Sequence, residues 1–220
     1  MLLRKKKVSK IYIFSGLGVD KRVFENINFE NFDVEFIDWI EPLAHEDIKH
    51  YSRRISKKIK ADQPILIGLS FGGFIAAEIS KIIETRKVIL IASAKTRAEL
   101  PAIYKIIGKS KLNKLVPATL LKTHNFISNW FFGTESNADK TLLKKILQDT
   151  DTRFLTWAIN EILNWKNNTE PKNWVHIHGD RDRIIPMENV NPTYVIRGGG
   201  HFMTVTKAKE IEALLKSLLA

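Results

Sequence analysis

The stretch from Pro64 to Ala77, PILIGLSFGGFIAA, constrains this chain more than any other. Its first half is an apolar run of strand length opened by a proline, where a missing N–H does least harm to a sheet. Its second half is apolar and reads as a helix over Gly72 to Thr85. Between them stands Ser70, with Gly68 and Gly72 two residues to either side. A strand that turns into a helix at a single residue puts that residue in a strained backbone conformation. Side chains at the flanking positions would collide with the neighbouring strand and helix, and glycine avoids both. The same corner lifts the Ser70 hydroxyl above a sheet edge, at a helix N-terminus.

The rest of the chain alternates in the same way. Lys10 to Phe14, Val34 to Trp39, Pro64 to Leu69, Val88 to Ala92, Trp174 to His178 and Tyr194 to Ile196 read as strands. Asp20 is placed to cap a short helix through Ile27. Ile48, Tyr51, Ile55 and Ile59 mark one face of another helix, and Ile211, Leu214, Leu215, Leu218 and Leu219 form the stripe of a last one. Short apolar strands separated by helices predict an α/β fold, a mostly parallel sheet of about six strands covered by helices on both faces. The exception is 95–168, which shows no convincing strand. It carries helical stripes (Leu142, Leu143, Ile146, Leu147; Phe154, Leu155, Ala158, Ile159, Ile162) and three of the five tryptophans. It reads as a helical insertion into a core made of 1–94 and 169–220.

Composition narrows the function classes. A chain of 220 residues with 44% hydrophobic and 27% charged residues suits one soluble domain. No apolar run is long enough to span a membrane. The basic head and apolar stretch of the first 19 residues imitate a secretory signal, but they lack a small-x-small cleavage site, and Ser15-Gly-Leu-Gly18 reads as a strand ending in a glycine turn. The absence of cysteine excludes disulfides, thiolate metal sites and a cysteine nucleophile, and fits a cytoplasmic location. The net charge of +11 is spread over clusters at Arg4 to Lys7, Lys57 to Lys60, Lys105 to Lys114 and Lys140 to Lys145. None matches a nucleic-acid-binding motif, so no nucleic-acid partner is expected and a solvated basic surface is the simpler reading.

Two further strand ends agree with Ser70. HIHGDRDRIIP (His176 to Pro186) follows a strand with a glycine turn and two acids, Asp180 and Asp182. VIRGGGHF (Val195 to Phe202) follows the next with three glycines and His201. Open α/β sheets gather their chemistry just past the carboxyl ends of strands. With GLSFGG, these segments make the chain resemble the α/β-hydrolase superfamily along nearly its whole length, with the first two strands of the full eight-stranded fold missing. The resemblance implies Ser70 as nucleophile, His201 as general base and an aspartate that fixes the histidine tautomer. The family pattern H-G-x-x-D aligns that acid with Asp182. A loop position also suits a carboxylate that must reach across the sheet edge, which leaves Asp180 to tie a turn together. The oxyanion donors would be the N–H groups of Phe71 and Leu17, although the Ser15 to Gly18 loop lacks the histidine that begins it in many relatives.

The resemblance further implies a hydrolase of carboxylic esters or thioesters that works through an acyl-enzyme, without cofactor or metal. The same residues could serve a C–C bond hydrolase or an acyl transferase, and the fold also occurs in non-catalytic ligand receptors. Trp130 and Trp157 would line an acyl or alcohol pocket under the cap, or else form the cap's own core. Arg97, Lys105, Lys109 and Arg153 would either pair with a substrate carboxylate or lie on a solvated surface. SGLGVD fails the dinucleotide pattern at Lys21, and no glycine loop is followed by a Walker lysine. His176-Ile-His178-Gly-Asp180 begins like an H-x-H-x-D-H metal motif, but Arg181 stands where its last histidine belongs.

Overall fold

The computed structural model describes residues 9–110 and 122–219; the basic head Arg4 to Lys7, with Lys111 and Lys114, lies outside them. Six strands form one sheet: β1 (Ile11–Phe14), β2 (Val34–Phe36), β3 (Ile65–Leu69), β4 (Lys87–Ile91), β5 (Trp174–Gly179) and β6 (Tyr194–Ile196). Their order is β2-β1-β3-β4-β5-β6, and every neighbouring pair is parallel. The chain therefore crosses over between β2 and β3, and the carboxyl ends of all six strands open on one edge.

The alternation of side chains along each strand divides the core. Ile11, Ile13, Ile65, Ile67, Ile89, Ile91 and Ile177 face one side, with Ile211 and Leu215 of the last helix (Ala208–Leu219). Tyr12, Phe14, Leu66, Val88 and Leu90 face the other, against α1 (Ile48–Ile55) and α2 (Phe71–Ile79). Both faces are dry, which is why these strands read as continuous apolar runs rather than as alternating ones.

Boundaries differ from expectation where caps and partners intervene. Asp20 does cap, through the N–H of Arg22, but the element is a single 3-10 turn over Lys21–Phe24. The helix of Ile48, Tyr51 and Ile55 ends in a 3-10 turn at Ser56–Lys58, and Ile59 turns extended beyond it. α2 stops at Ile79, where the Ser80 hydroxyl bonds back to the Ala77 carbonyl and competes with the helical ladder. β2 ends at Phe36, and Trp39 leaves the sheet edge to pack 5.6 Å from the ring of Phe71.

The described parts of 95–168 are helical: α3 (Ala102–Ser110), α4 (Phe126–Phe132), α5 (Asn137–Asp149) and α6 (Thr152–Leu163), with no strand among the described residues. Asn125 and Ser136 each build a capping box at the start of α4 and α5, and Gly133 ends α4 in the left-handed conformation. Leu143, Ile146 and Leu147 of α5 join the first core, while Phe154 and Ala158 of α6 and the nearby Trp165 join the second. Among the described residues no helix is long and apolar enough to cross a membrane.

Candidate active site

Ser70 links β3 to α2 with φ 49° and ψ −119°, a positive-φ backbone that an L-residue adopts only under constraint. Three glycines make room for it. A Cβ on Gly68 would lie 2.4 Å from the Gly72 carbonyl oxygen, one on Gly72 2.2 Å from the Phe14 carbonyl oxygen, and one on Gly73 2.2 Å from Ser93 Oγ. The first two collisions are with backbone and cannot be relieved by a rotamer change. The Ser70 N–H donates to the Ile91 carbonyl at 2.9 Å, and Ser93 Oγ donates to the Ser70 carbonyl at 2.8 Å. The corner is thus tied to β4 from both ends.

The structure brings the three expected side chains into one chain of hydrogen bonds. Ser70 Oγ lies 2.8 Å from His201 Nε2, and His201 Nδ1 lies 2.7 Å from Asp182 Oδ2. A carboxylate can only accept, so His201 carries its proton on Nδ1 and leaves Nε2 free to accept from Ser70. The other Asp182 oxygen accepts the N–H groups of Ile184 and Ile185, each at 2.9 Å. Burial pushes the Asp182 carboxyl up. The charge and hydrogen bond of His201, together with His178 and the Ile185 N–H, outweigh burial and hold it below the ordinary carboxylate range. His201 is buried and is flanked edge-on by the Phe132 ring at 5.9 Å. The Phe202 N–H donates to the Phe132 carbonyl at 2.8 Å, which fastens α4 to the loop that carries His201.

Asp180 takes no part in this chain. Its Oδ1 accepts the Gly198 N–H at 2.7 Å, so it joins the turn after β5 to the glycine loop after β6 rather than closing its own turn. Gly16 lies against Ser70, since a Cβ there would come 3.2 Å from the serine Cβ, and this brings the loop carrying Leu17 beside the hydroxyl. Phe71, the first residue of α2, has no carbonyl one turn back to receive its N–H.

His176 and His178 do share one face of β5, and both are fully buried. His178 Nε2 lies 2.8 Å from the Ile185 carbonyl and must donate to it, so its Nδ1 accepts from His176 Nε2 at 3.2 Å. Burial, then the neighbouring His178, pushes the His176 imidazole down to about 3; burial also lowers His178. Two neutral histidines thus stand behind the acid loop, and His178 holds the Ile185 carbonyl.

A cavity of about 590 Å³ opens on Ser70, a size that suits a small-molecule ligand. Leu17, Phe74 and Ile185 belong to its floor, Ile107, Phe131 and Phe132 to α3 and α4, and Leu155, Ile159 and Ile162 to α6. Among the described residues no charged side chain lines it, and the polar side chains that do are Ser70, Ser128 and Tyr104. The Tyr104 hydroxyl is spent on the Ile184 carbonyl at 2.7 Å.

The two tryptophans expected in the pocket wall lie elsewhere. Trp157 donates its indole N–H to the Glu46 carbonyl at 2.7 Å and stacks 4.4 Å from Tyr51, inside a cluster with Phe71 and Phe154. Trp130 is half exposed, with the Arg183 guanidinium 4.4 Å from its ring. The cationic residues are likewise turned away. Arg97 bonds the Trp165 carbonyl, Lys105 the Ala98 carbonyl at 3.1 Å, Arg153 pairs with Glu41 at 2.9 Å, and Lys109 is exposed. The aliphatic lining of α6 had a signal in the Ile159 and Ile162 stripe. Tyr104, Phe132 and the Ile184-Ile185 pair had none beyond hydrophobicity.

Comparison with known proteins agrees with this fold. No curated protein matches the sequence significantly. Among solved structures the chain is similar to a bromoperoxidase from Bacillus anthracis, at TM-score 0.70 and 17% identity over 96% of this chain and 92% of that one. It is also similar to a thermophilic esterase from Thermogutta terrifontis, at 0.70 and 14% over 96% and 89%, and to an esterase from Exiguobacterium antarcticum, at 0.69 and 16% over 96% and 92%. At such identities the likeness is one of fold. The sequence model of the alpha/beta hydrolase family matches residues 14–214, which include β3, its serine corner and both loops that meet there. The chain belongs to the alpha/beta hydrolase family.

Proposed function

We propose that the protein is a serine hydrolase that cleaves esters or thioesters of uncharged, apolar acyl groups through an acyl-enzyme. The observation that carries this reading is the unbroken chain Ser70 Oγ–His201–Asp182 at the base of a cavity with no charged lining among the described residues. Ser70 Oγ attacks the substrate carbonyl while His201 Nε2 takes its proton, and Asp182 stabilises the imidazolium that forms. The N–H groups of Leu17 and Phe71 would receive the oxyanion. His201 then returns the proton to the leaving alkoxide or thiolate, and water repeats the sequence to free the acid. In this reading α3, α4 and α6 act as the cap, and their aliphatic side chains hold the acyl chain by burial alone. A carboxylate on the acyl group would be desolvated without a partner, so an anionic acyl chain is disfavoured.

The test is labelling with a fluorophosphonate probe, mapped by mass spectrometry, followed by a panel of neutral and ω-carboxylated esters and thioesters. Modification at Ser70, lost on Ser70→Ala, is expected together with turnover of the neutral series. An unlabelled Ser70 in folded protein, or equal turnover of the carboxylated series, would contradict the reading.

A further inference from the structure

Among the described residues, six of the ten large hydrophobic side chains left in water lie on two helices of 95–168. Ile103 and Ile106 on α3, and Phe126, Ile127, Trp130 and Phe131 on α4, are all exposed, with Phe126 at 81%, Ile127 at 63% and Ile106 at 59%. These helices also wall the cavity over Ser70, through Tyr104 and Ile107 on one and Ser128, Phe131 and Phe132 on the other. Phe131 is both wall and exposed surface, so at this residue the exposed apolar surface borders the cavity. Concentrated apolar surface of this kind marks an interaction face.

Charge says what covers it. Between Glu99 and Glu135 the sequence has five lysines and no acid, against 24 Asp and Glu over 220 residues. Lys111 and Lys114 of that set lie outside the described residues and enter only as charge. α4 itself carries no charged side chain, and the Arg183 guanidinium sits over Trp130 beside it. Exposed isoleucine and phenylalanine in a segment whose only formal charges are cationic, with Lys109 exposed on the helix of Ile103 and Ile106 and an indole near a guanidinium, fit a surface that lies in a headgroup layer with its apolar side chains below. Nucleic acid would match the charge but offers nothing to the isoleucines, and a second copy of a chain with net charge +11 would be repelled by it.

We propose that the face of α3 and α4 docks on an anionic lipid bilayer, with Phe126, Ile127, Ile103 and Ile106 inserted and Lys109 at the headgroups. Docking turns the cavity mouth toward the lipid. It does not depend on the hydrolase reading, because binding is measured without turnover.

The experiment is flotation of the whole protein with vesicles of phosphatidylcholine alone and of equimolar phosphatidylcholine and phosphatidylglycerol. Wild type should float with the anionic vesicles, release as salt is raised, and stay behind with the neutral ones. Phe126→Asp with Ile127→Asp places acids in the first turn of α4, where a helix tolerates them, and should weaken binding at least tenfold with the melting temperature kept. Lys109→Glu, an exposed charge reversal, should weaken it by about fivefold or more. If wild type ignores anionic vesicles, or if both folded variants float as well as wild type, the proposal is wrong. Sedimentation showing a wild-type dimer that the α4 variant disperses, without vesicle binding, would assign the face to a second copy instead.

Discussion

Replacing Asp182 by asparagine tests the site at a single atom. Asp182 Oδ1 accepts two backbone N–H groups, and Oδ2 accepts only from His201 Nδ1. An asparagine with its carbonyl oxygen in the Oδ1 place keeps both backbone bonds, so the loop and the fold should survive. Its NH₂ group then faces His201 Nδ1 and donates where a carboxylate accepted. The histidine must move its proton to Nε2, which now points a donor at Ser70 Oγ and cannot take the serine proton. The loss should approach 10⁴ in kcat, about 5 kcal/mol of transition-state stabilisation. Asp180→Asn serves as the comparison. Its oxygen meets only the Gly198 N–H, at an exposed position, so the change should cost about 1 kcal/mol of stability or less and leave kcat near wild type. The assay is initial rates on a neutral short-chain aryl ester, with thermal melts of both variants. A folded Asp182→Asn that keeps a tenth of wild-type kcat, or a folded but inactive Asp180→Asn, would refute the assignment of the carboxylate.

Three other outcomes are expected. Gly72→Ala puts a Cβ 2.2 Å from the Phe14 carbonyl oxygen and 2.4 Å from that of Ser15, so β1 and α2 must separate; a loss of about 3 kcal/mol or more is expected in urea unfolding, and a wild-type midpoint would contradict it. Ile159→Trp fills the cavity from α6 and should lower kcat/KM at least tenfold for long acyl chains while sparing acetyl esters; equal loss across the series would mean that the cavity does not receive the acyl chain. Stability should fall as pH drops below the ordinary imidazole value near 6.5 toward 3, because His176 is held neutral to about 3 in the fold and the unfolded chain takes the proton first. The slope from this one group is about 1.4 kcal/mol per pH unit, and His178, shifted the same way, adds to it. Urea midpoints measured from pH 8 to pH 4 check this: above 6.5 the contribution is fully present, and His176→Phe should flatten the acid limb. A flat wild-type profile from pH 7 to pH 5 would show that the pair is not buried neutral.

What the sequence determined by itself was whatever short-range physics encodes. Strand and helix alternation is written in the run lengths around Ile67 and Ile89, and the corner at Ser70 in the glycines that no side chain could replace. Because each strand end is local, the sequence also placed Ser70, the Asp180-Asp182 pair and His201 at the carboxyl edge of the sheet. Helix ends were less legible: Ser80 and Ile59 each end a turn that the apolar stripe alone would have continued. Only the tertiary structure decided which groups meet. Ser70 and His201 are 131 residues apart, and Asp182, the acid that the family resemblance favoured over Asp180, meets the imidazole because the loop turns its oxygen inward over the Ile184 and Ile185 N–H groups. Trp157 read equally as a pocket wall or as cap core, and the Glu46 carbonyl, 111 residues away in sequence, holds its indole in an aromatic core. Arg97 and Arg153 read either as counter-ions for a substrate or as solvated surface, and they turn to the Trp165 carbonyl and to Glu41. A side chain's periodicity says that it will be buried. The partner that buries it depends on how distant segments stack, and no local pattern carries that information.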